Sequence, residues 1–310
     1  MKWIYGKQDF KTLSRGQENC YLLTNGLGGF SSLTMTGSVT RNDHALLMAC
    51  TKAPNHRYNL IHRLKEEIRI GEEKQILSAQ EFADGTKEEG YQNLSTFSFE
   101  DTPVWRWETK GVRIRKELGM AQLENTVAVV YEMKNQSLFD AELVVTPFLQ
   151  FVRKGEDLTE EQVFERKGNT VSSDGLTLYF ETDGEILPEE QTETYYYSYD
   201  ACDGRRESGT AKAVLKIRMQ VPAGERRTLS IVCSMEQGRT DAQAVIAETK
   251  KYRKALEEKA GFADPMAKVL VKSAAQFVAD RESTGGKTIL AGFPFLEDWG
   301  RDTMIALPGV

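Results

Sequence analysis

The chain has 310 residues, 40% hydrophobic and 28% charged, with 40 Lys and Arg against 46 Asp and Glu and a formal net charge of -6. With a mean hydropathy of -0.46 and a pI near 5.4, it offers no overall basic field to phosphate backbones or anionic lipid, which excludes nucleic acid and membrane surfaces as primary partners. The length is enough to bury a full hydrophobic core without disulfides or metal, in two domains or in one large β-sandwich with a remainder.

The opening MKWIYGKQDF has no apolar signal region and no small-residue cleavage site, and no later apolar run approaches a membrane span, so a cytoplasmic protein is expected. Asn25-Gly26-Leu27-Gly28-Gly29 differs from a dinucleotide fingerprint, because Ser31 stands at the third glycine position and strand-like residues follow. It reads as a tight hairpin turn with positive φ. His44, His56 and His62 share no ligand spacing, so no metal is expected, and His44 reads as a satisfied structural histidine near a sheet edge. Glu66-Glu67, Glu156-Asp157 and Glu160-Glu161 read as solvated surface. Cys20, Cys50, Cys202 and Cys233 lie far apart and read as buried thiols.

Up to about residue 235, short segments rich in Val, Ile, Thr and aromatics alternate with Gly, Asn, Asp and Pro turns. That pattern predicts an all-β sandwich. Period-two alternation marks Leu94 to Phe99, Val104 to Glu108, Val112 to Lys116, Ala213 to Arg218 and Thr228 to Cys233, each with one wet face. The continuous apolar runs Thr126 to Tyr131 and Leu143 to Phe151 predict strands covered on both faces. Trp105, Trp107 and Tyr195-Tyr196-Tyr197 could stack on sugar rings, but at strand spacing they read as core on one face and surface on the other.

After Gly238 the pattern changes. Thr240 to Gln243 reads as a capping box for a helix that ends at a C′ glycine, Gly261. A second helix is predicted with Asp264 as N-cap and Pro265 at its first position, placing Val269, Leu270, Ala274, Phe277 and Val278 on one stripe. Gly285-Gly286-Lys287-Thr288 resembles the tail of a phosphate-binding loop, but Arg281 stands where that loop needs glycine. A third apolar run, Thr303 to Val310, closes the chain. The organisation predicted is a β domain over 1–238, a linker helix over 239–262, and over 263–310 the start of a helical domain too short to enclose its own core.

The densest chemistry lies between Ala291 and Thr303, where an indole, a guanidinium and three carboxylates fall within six residues. An indole face suits the C–H side of a pyranose, and Arg with Asp supplies donors and acceptors for vicinal hydroxyls. The competing reading makes Asp302 merely the N-cap of a helix starting at Thr303, with Arg301 paired to Glu297 or Asp298 and Trp299 in the core. The residues alone leave both open.

The segment AGFPFLEDWGRDTMIALPG closely resembles the opening of the catalytic domain of bacterial and archaeal glycogen debranching enzymes of the amylo-α-1,6-glucosidase type. Tyr21 to Phe30, followed by Thr40-Arg41-Asn42-Asp43-His44-Ala45-Leu46-Leu47, resembles the hallmark of that family's N-terminal domain, about 250 residues earlier and in the right order. Asp43 and Ala45 stand where the family usually has an aromatic residue and a glycine. The resemblance implies a mainly β protein: a large antiparallel super-sandwich of the glucoamylase N-domain kind, linker helices, and the first part of an (α/α)6 toroid that hydrolyses α-1,6 branch points. It implies that Trp299, Arg301 and Asp302 grip a terminal glucose of glycogen or a related maltooligosaccharide, with no cofactor. The general acid and base are implied beyond Val310, so this chain by itself is expected to be inactive, with the rest of the toroid as its partner. Two other classes stay in view: a non-catalytic glucan-docking β domain, and a toroidal enzyme of glucoamylase, trehalase or disaccharide-phosphorylase type.

Overall fold

The computed structural model describes residues 1–309; Val310, the last residue of the third apolar run, lies outside the described residues. Each alternating segment lies in a strand, four of the five within a residue or two of the predicted start, while the one read from Ala213 begins five residues earlier, in Ser208–Val221; several run on further, as in Val112–Met120. They assemble into two antiparallel sheets. One has nine strands, in the order Trp3–Gly6, Leu94–Phe99, Pro103–Thr109, Val112–Met120, Thr126–Asn135, Arg226–Ser234, Leu176–Thr182, Thr170–Ser173 and Glu165–Lys167. The other runs Glu185–Tyr196, Ser208–Val221, Ala141–Arg153, His56–Ile70, Ala45–Lys52, Phe30–Ser32 and Leu23–Thr24, with Glu73–Ile76 paired to His56–Ile70.

The inward residues of the two sheets interdigitate in one core. Leu47, Ile61, Leu143 and Phe148 come from one side, and Trp105, Ile114, Val129 and Leu229 from the other. Trp105 and Trp107 are both buried, and their indole N–H groups donate to the carbonyls of Met35 (2.8 Å) and Leu77 (3.1 Å), so neither is available to a sugar. Tyr195 and Tyr197 are buried too, with only Tyr196 partly exposed. Thr126–Asn135 is covered on both faces as its apolar run predicts, because Val245 and Ile246 of the Ala242–Ala260 helix pack on Ala128, Val130 and Val232.

Glu66 corrects the sequence-based expectation of a solvated pair. Only Glu67 faces out, where Lys74 pairs with it at 2.7 Å. Glu66 points inward between the sheets, 2.5 Å from Lys116 Nζ, and accepts from the Tyr131 hydroxyl at 3.0 Å. Strand alternation forces neighbours to opposite faces, so two adjacent carboxylates cannot share one environment. The four thiols also divide, with Cys50 and Cys233 buried and Cys20 and Cys202 exposed. Cys202 ends a five-residue surface helix, whereas Cys20, exposed as a residue, turns its Sγ to the buried His44 Nε2 at 3.6 Å, where burial pushes the thiol pKa up to about 11.

Of the two later helices, the second begins as predicted, with Asp264 as N-cap accepting from Ala267 N at 2.8 Å, and Gly261 closes the first with φ 69°. The first starts one residue later than the Thr240 to Gln243 capping box implies: its N-cap is Asp241, which accepts from Ala244 N at 3.0 Å. The second, Pro265–Ala275, is shorter than its apolar stripe implied, and Leu270 is exposed. Phe277 and Val278 leave it because Val278–Arg281 pairs with Gly286–Ile289 in a hairpin, with Leu290 N donating to Phe277 O at 2.8 Å. The helix is fastened to the sandwich through Lys272, buried against Asp101 (2.8 Å) and Glu257. No helix among the described residues is long and apolar enough to cross a membrane.

Candidate functional site

The turn Asn25 to Gly29 connects Leu23–Thr24 to Phe30–Ser32, and both Gly26 (φ 74°) and Gly28 (φ 99°) are left-handed. A Cβ on Gly28 would stand 2.1 Å from the Pro54 carbonyl oxygen, so glycine lets the turn close on the 53–55 loop. Asn25 braces the turn from inside, accepting from Leu27 N at 3.0 Å and donating to Glu124 O at 2.9 Å. The second hallmark stretch is fixed from the short helix Ser198–Cys202: Asp200 accepts from Arg41 (3.1 Å) and from Asn42 N (2.7 Å), while Asp203 pairs with Arg41 at 2.6 Å. His44 is buried as expected, its Nδ1 accepting from Thr40 N at 3.2 Å, and burial lowers its pKa to about 3.

These two stretches form a socket, and the chemistry-bearing segment docks into it. Phe293 meets Phe30 edge-on at 5.4 Å and lies under the Arg57 guanidinium at 5.5 Å. Phe295 sits over two guanidinium groups, Arg41 at 4.8 Å and Arg205 at 4.1 Å. Arg57 donates to Leu296 O at 3.3 Å, and Lys154 Nζ to Phe295 O at 2.8 Å. Asp43, whose carboxyl burial holds above its usual value, lies 3.9 Å from the same lysine. Arg57 and Asn55, neither singled out in the sequence, are central here. Both are polar residues within strand-and-turn texture, and only the fold reveals that they face a segment about 240 residues later.

Asp298 is held by three side chains. It accepts from Asn55 Nδ2 at 2.7 Å and Thr288 Oγ1 at 3.3 Å, and pairs with Arg281 Nε at 3.2 Å. Three elements therefore converge on one carboxylate: the 53–55 loop, the Val278–Ile289 hairpin and the loop itself. Ala291 N donates to Glu297 O, and Leu296 N to Gly292 O, both at 3.0 Å, closing the loop upon itself.

The helix Gly300–Ala306 begins immediately after, with Trp299 at the N-cap position and no side-chain cap. Asp302 is thus in the first turn and does not cap a helix starting at Thr303, because the chain already turns helical at Gly300. A carboxylate in a first turn is favourable beside the unsatisfied N–H groups. Trp299 is 60% exposed and not core. Arg301 approaches only Asp302, at 4.0 Å, and neither Glu297 nor Asp298. The fold brings Trp299, Arg301 and Asp302 together on one exposed turn: an indole platform, a five-donor fork and an acceptor pair, held up by the docked loop behind them. That set can bind a neutral polyol.

Of the three carboxylates in this segment, Asp298 is taken up by its contacts with Asn55, Thr288 and Arg281, which leaves Glu297 and Asp302 without such an anchoring set. Among the described residues no group of three or more His, Cys, Asp or Glu could hold a metal ion.

Comparison with known proteins gives two family matches: "Glycogen debranching enzyme N terminal" over residues 19–228 and "Amylo-alpha-1,6-glucosidase" over residues 272–310. Among curated proteins none matches. Of solved structures, a "Putative kojibiose phosphorylase from human microbiome" is similar at 9% identity and a TM-score of 0.50, covering 94% of this chain and 43% of that one. A bacterial glucoamylase complexed with acarbose is similar at 10% identity with a TM-score of 0.36, covering 87% of this chain and 39% of that one. The chain thus spans less than half the length of these structures.

Proposed function

The chain belongs to the family of glycogen debranching enzyme N-terminal domains, and from that premise we propose that it forms the substrate-positioning part of a cytoplasmic amylo-α-1,6-glucosidase acting on glycogen or related maltooligosaccharides. The domains proposed are a β domain over 1–238, a linker helix over 239–262, and over 263–310 the start of an (α/α)6 toroid. Trp299 stacks on the terminal glucose, while Arg301 and Asp302 bind its hydroxyls. The acid and base belong to the toroid beyond Val310, so the 310-residue chain is inactive by itself. The observation that carries this reading is the seating of the Phe293–Asp298 loop in the socket built by the two hallmark stretches, which supports a role for the β domain in holding the sugar-binding turn in place.

Glucose release from a branched limit dextrin tests the proposal. The enzyme carrying the whole toroid is expected to release glucose without phosphate and to lose about ten- to a hundredfold in kcat/KM on Asp302→Asn, consistent with losing a charged hydrogen bond made to the reacting sugar. Phosphorolysis of a disaccharide is the second reading, favoured by the likeness to the phosphorylase fold. A strict phosphate requirement would establish it and remove debranching.

A further inference from the structure

The outer face of the nine-stranded sheet carries charge in rows set by strand register. In one row Glu108 stands opposite Arg113, Arg113 opposite Lys134, and Lys134 opposite Arg226. Two residues along, Arg106 stands opposite Arg115, and Arg115 opposite Glu132. Period two puts both rows on the same side. Like charges directly opposed across antiparallel strands are destabilising, and here cation faces cation at Arg113/Lys134, at Lys134/Arg226 and at Arg106/Arg115.

The nearby carboxylates are already committed. Glu108 pairs with Arg113 at 3.2 Å, while Glu132 (2.9 Å) and Glu117 (2.5 Å) pair with Arg115. Among the described residues Arg106, Lys134 and Arg226 have no carboxylate within ion-pair distance, and all three line one groove of about 370 Å³, in which the two lining carboxylates, Glu108 and Glu132, are outnumbered by five cations.

We propose that this groove binds a phosphoryl group, either of inorganic phosphate or of a small phosphate ester such as a hexose monophosphate. A dianion with three acceptor oxygens can engage two guanidinium forks and one ammonium together, which a single carboxylate cannot. At about 370 Å³ the groove has room for a monosaccharide phosphate, and the chain's net charge of -6 disfavours a polyanion. The site is separate from the Trp299 turn and does not depend on the sugar-binding proposal.

The test is calorimetric titration of the chain with inorganic phosphate, glucose 6-phosphate and neutral glucose, in wild type and in Lys134→Gln/Arg226→Gln. Saturable binding of phosphate or of the ester is expected, weakened about tenfold or more in the double variant because two charge-assisted contacts are lost. A tighter ester than phosphate identifies an ester as the ligand, and equal affinities identify free phosphate. The ligand-free variant should melt no lower than wild type, because two opposed cations have been neutralised, so lost binding cannot be ascribed to unfolding. The proposal is overturned if no saturable binding occurs, if the variant binds as tightly as wild type, or if neutral glucose titrates the groove equally well.

Discussion

Replacing Phe295 by Ala removes a ring held over two guanidinium groups, Arg41 at 4.8 Å and Arg205 at 4.1 Å. At a half-exposed site each cation–π contact contributes about 0.5–1 kcal/mol. Losing most of the ring's apolar contact adds about 1–2 kcal/mol. The docked state of the loop should therefore weaken by about 2–4 kcal/mol, which is a local opening at least about 30-fold more populated. The sandwich core does not depend on Phe295, so the change should stay local. Hydrogen exchange reads this directly at Ala291 N and Leu296 N, whose acceptors are Glu297 O and Gly292 O. Both amides should exchange at least about 30-fold faster in Phe295→Ala, while core strand amides such as Val129 keep their protection. Phe295→Leu, which keeps apolar contact but lacks the quadrupole, should fall between. Unchanged exchange at Ala291 and Leu296 in the alanine variant would refute the idea that the two arginines hold this loop.

Three further outcomes follow from the buried groups. His44 and His62 are kept neutral by burial, each with a pKa lowered to about 3. The unfolded chain takes up these protons near pH 6.5, so stability is full above that value and falls as pH drops toward 3, by about 2 kcal/mol per histidine at pH 5; denaturant unfolding at pH 7 and pH 5 should differ by about 4 kcal/mol, and a difference below about 1 kcal/mol would contradict the burial. Lys116→Ala leaves Glu66 buried without its cation and should cost about 3–5 kcal/mol by chemical denaturation, whereas Lys116→Met with Glu66→Leu should be far milder; equal losses would show that the pair is not what matters. Gly28→Ala forces a Cβ to 2.1 Å from Pro54 O at φ 99°, and a melting temperature unchanged from wild type would disprove the close approach.

Alternation and turn chemistry made the sandwich legible. Segments such as Leu94–Phe99 were readable because each carries its own period and its own stop. The cap Asp264 was readable because capping is local, and the first helix start was legible to within one residue. What could not be read was anything decided across the fold. Glu66 looked like half of a surface pair until the facing sheet supplied Lys116, and Phe277 with Val278 looked helical until Gly286–Ile289 captured Val278 as a strand. The site was half visible. Trp299, Arg301 and Asp302 stand out by residue type. Asp298, identical in chemistry to Asp302, proves to be an anchor because Asn55, Thr288 and Arg281 happen to meet it. No local pattern separates the two aspartates; only the placement of their partners does. The cation rows on the outer sheet face were hidden for the same reason, since register alone brings Arg113, Lys134 and Arg226 into line.

The most direct test of the sugar-binding turn is a crystal structure of the enzyme with its complete toroid, soaked with isomaltose. The terminal glucose should stack on Trp299 with its hydroxyls within hydrogen-bond distance of Arg301 and Asp302, while Asp298 stays bound to Asn55 and Arg281. Sugar density elsewhere in the toroid, with the Trp299 turn unoccupied, would contradict the assignment.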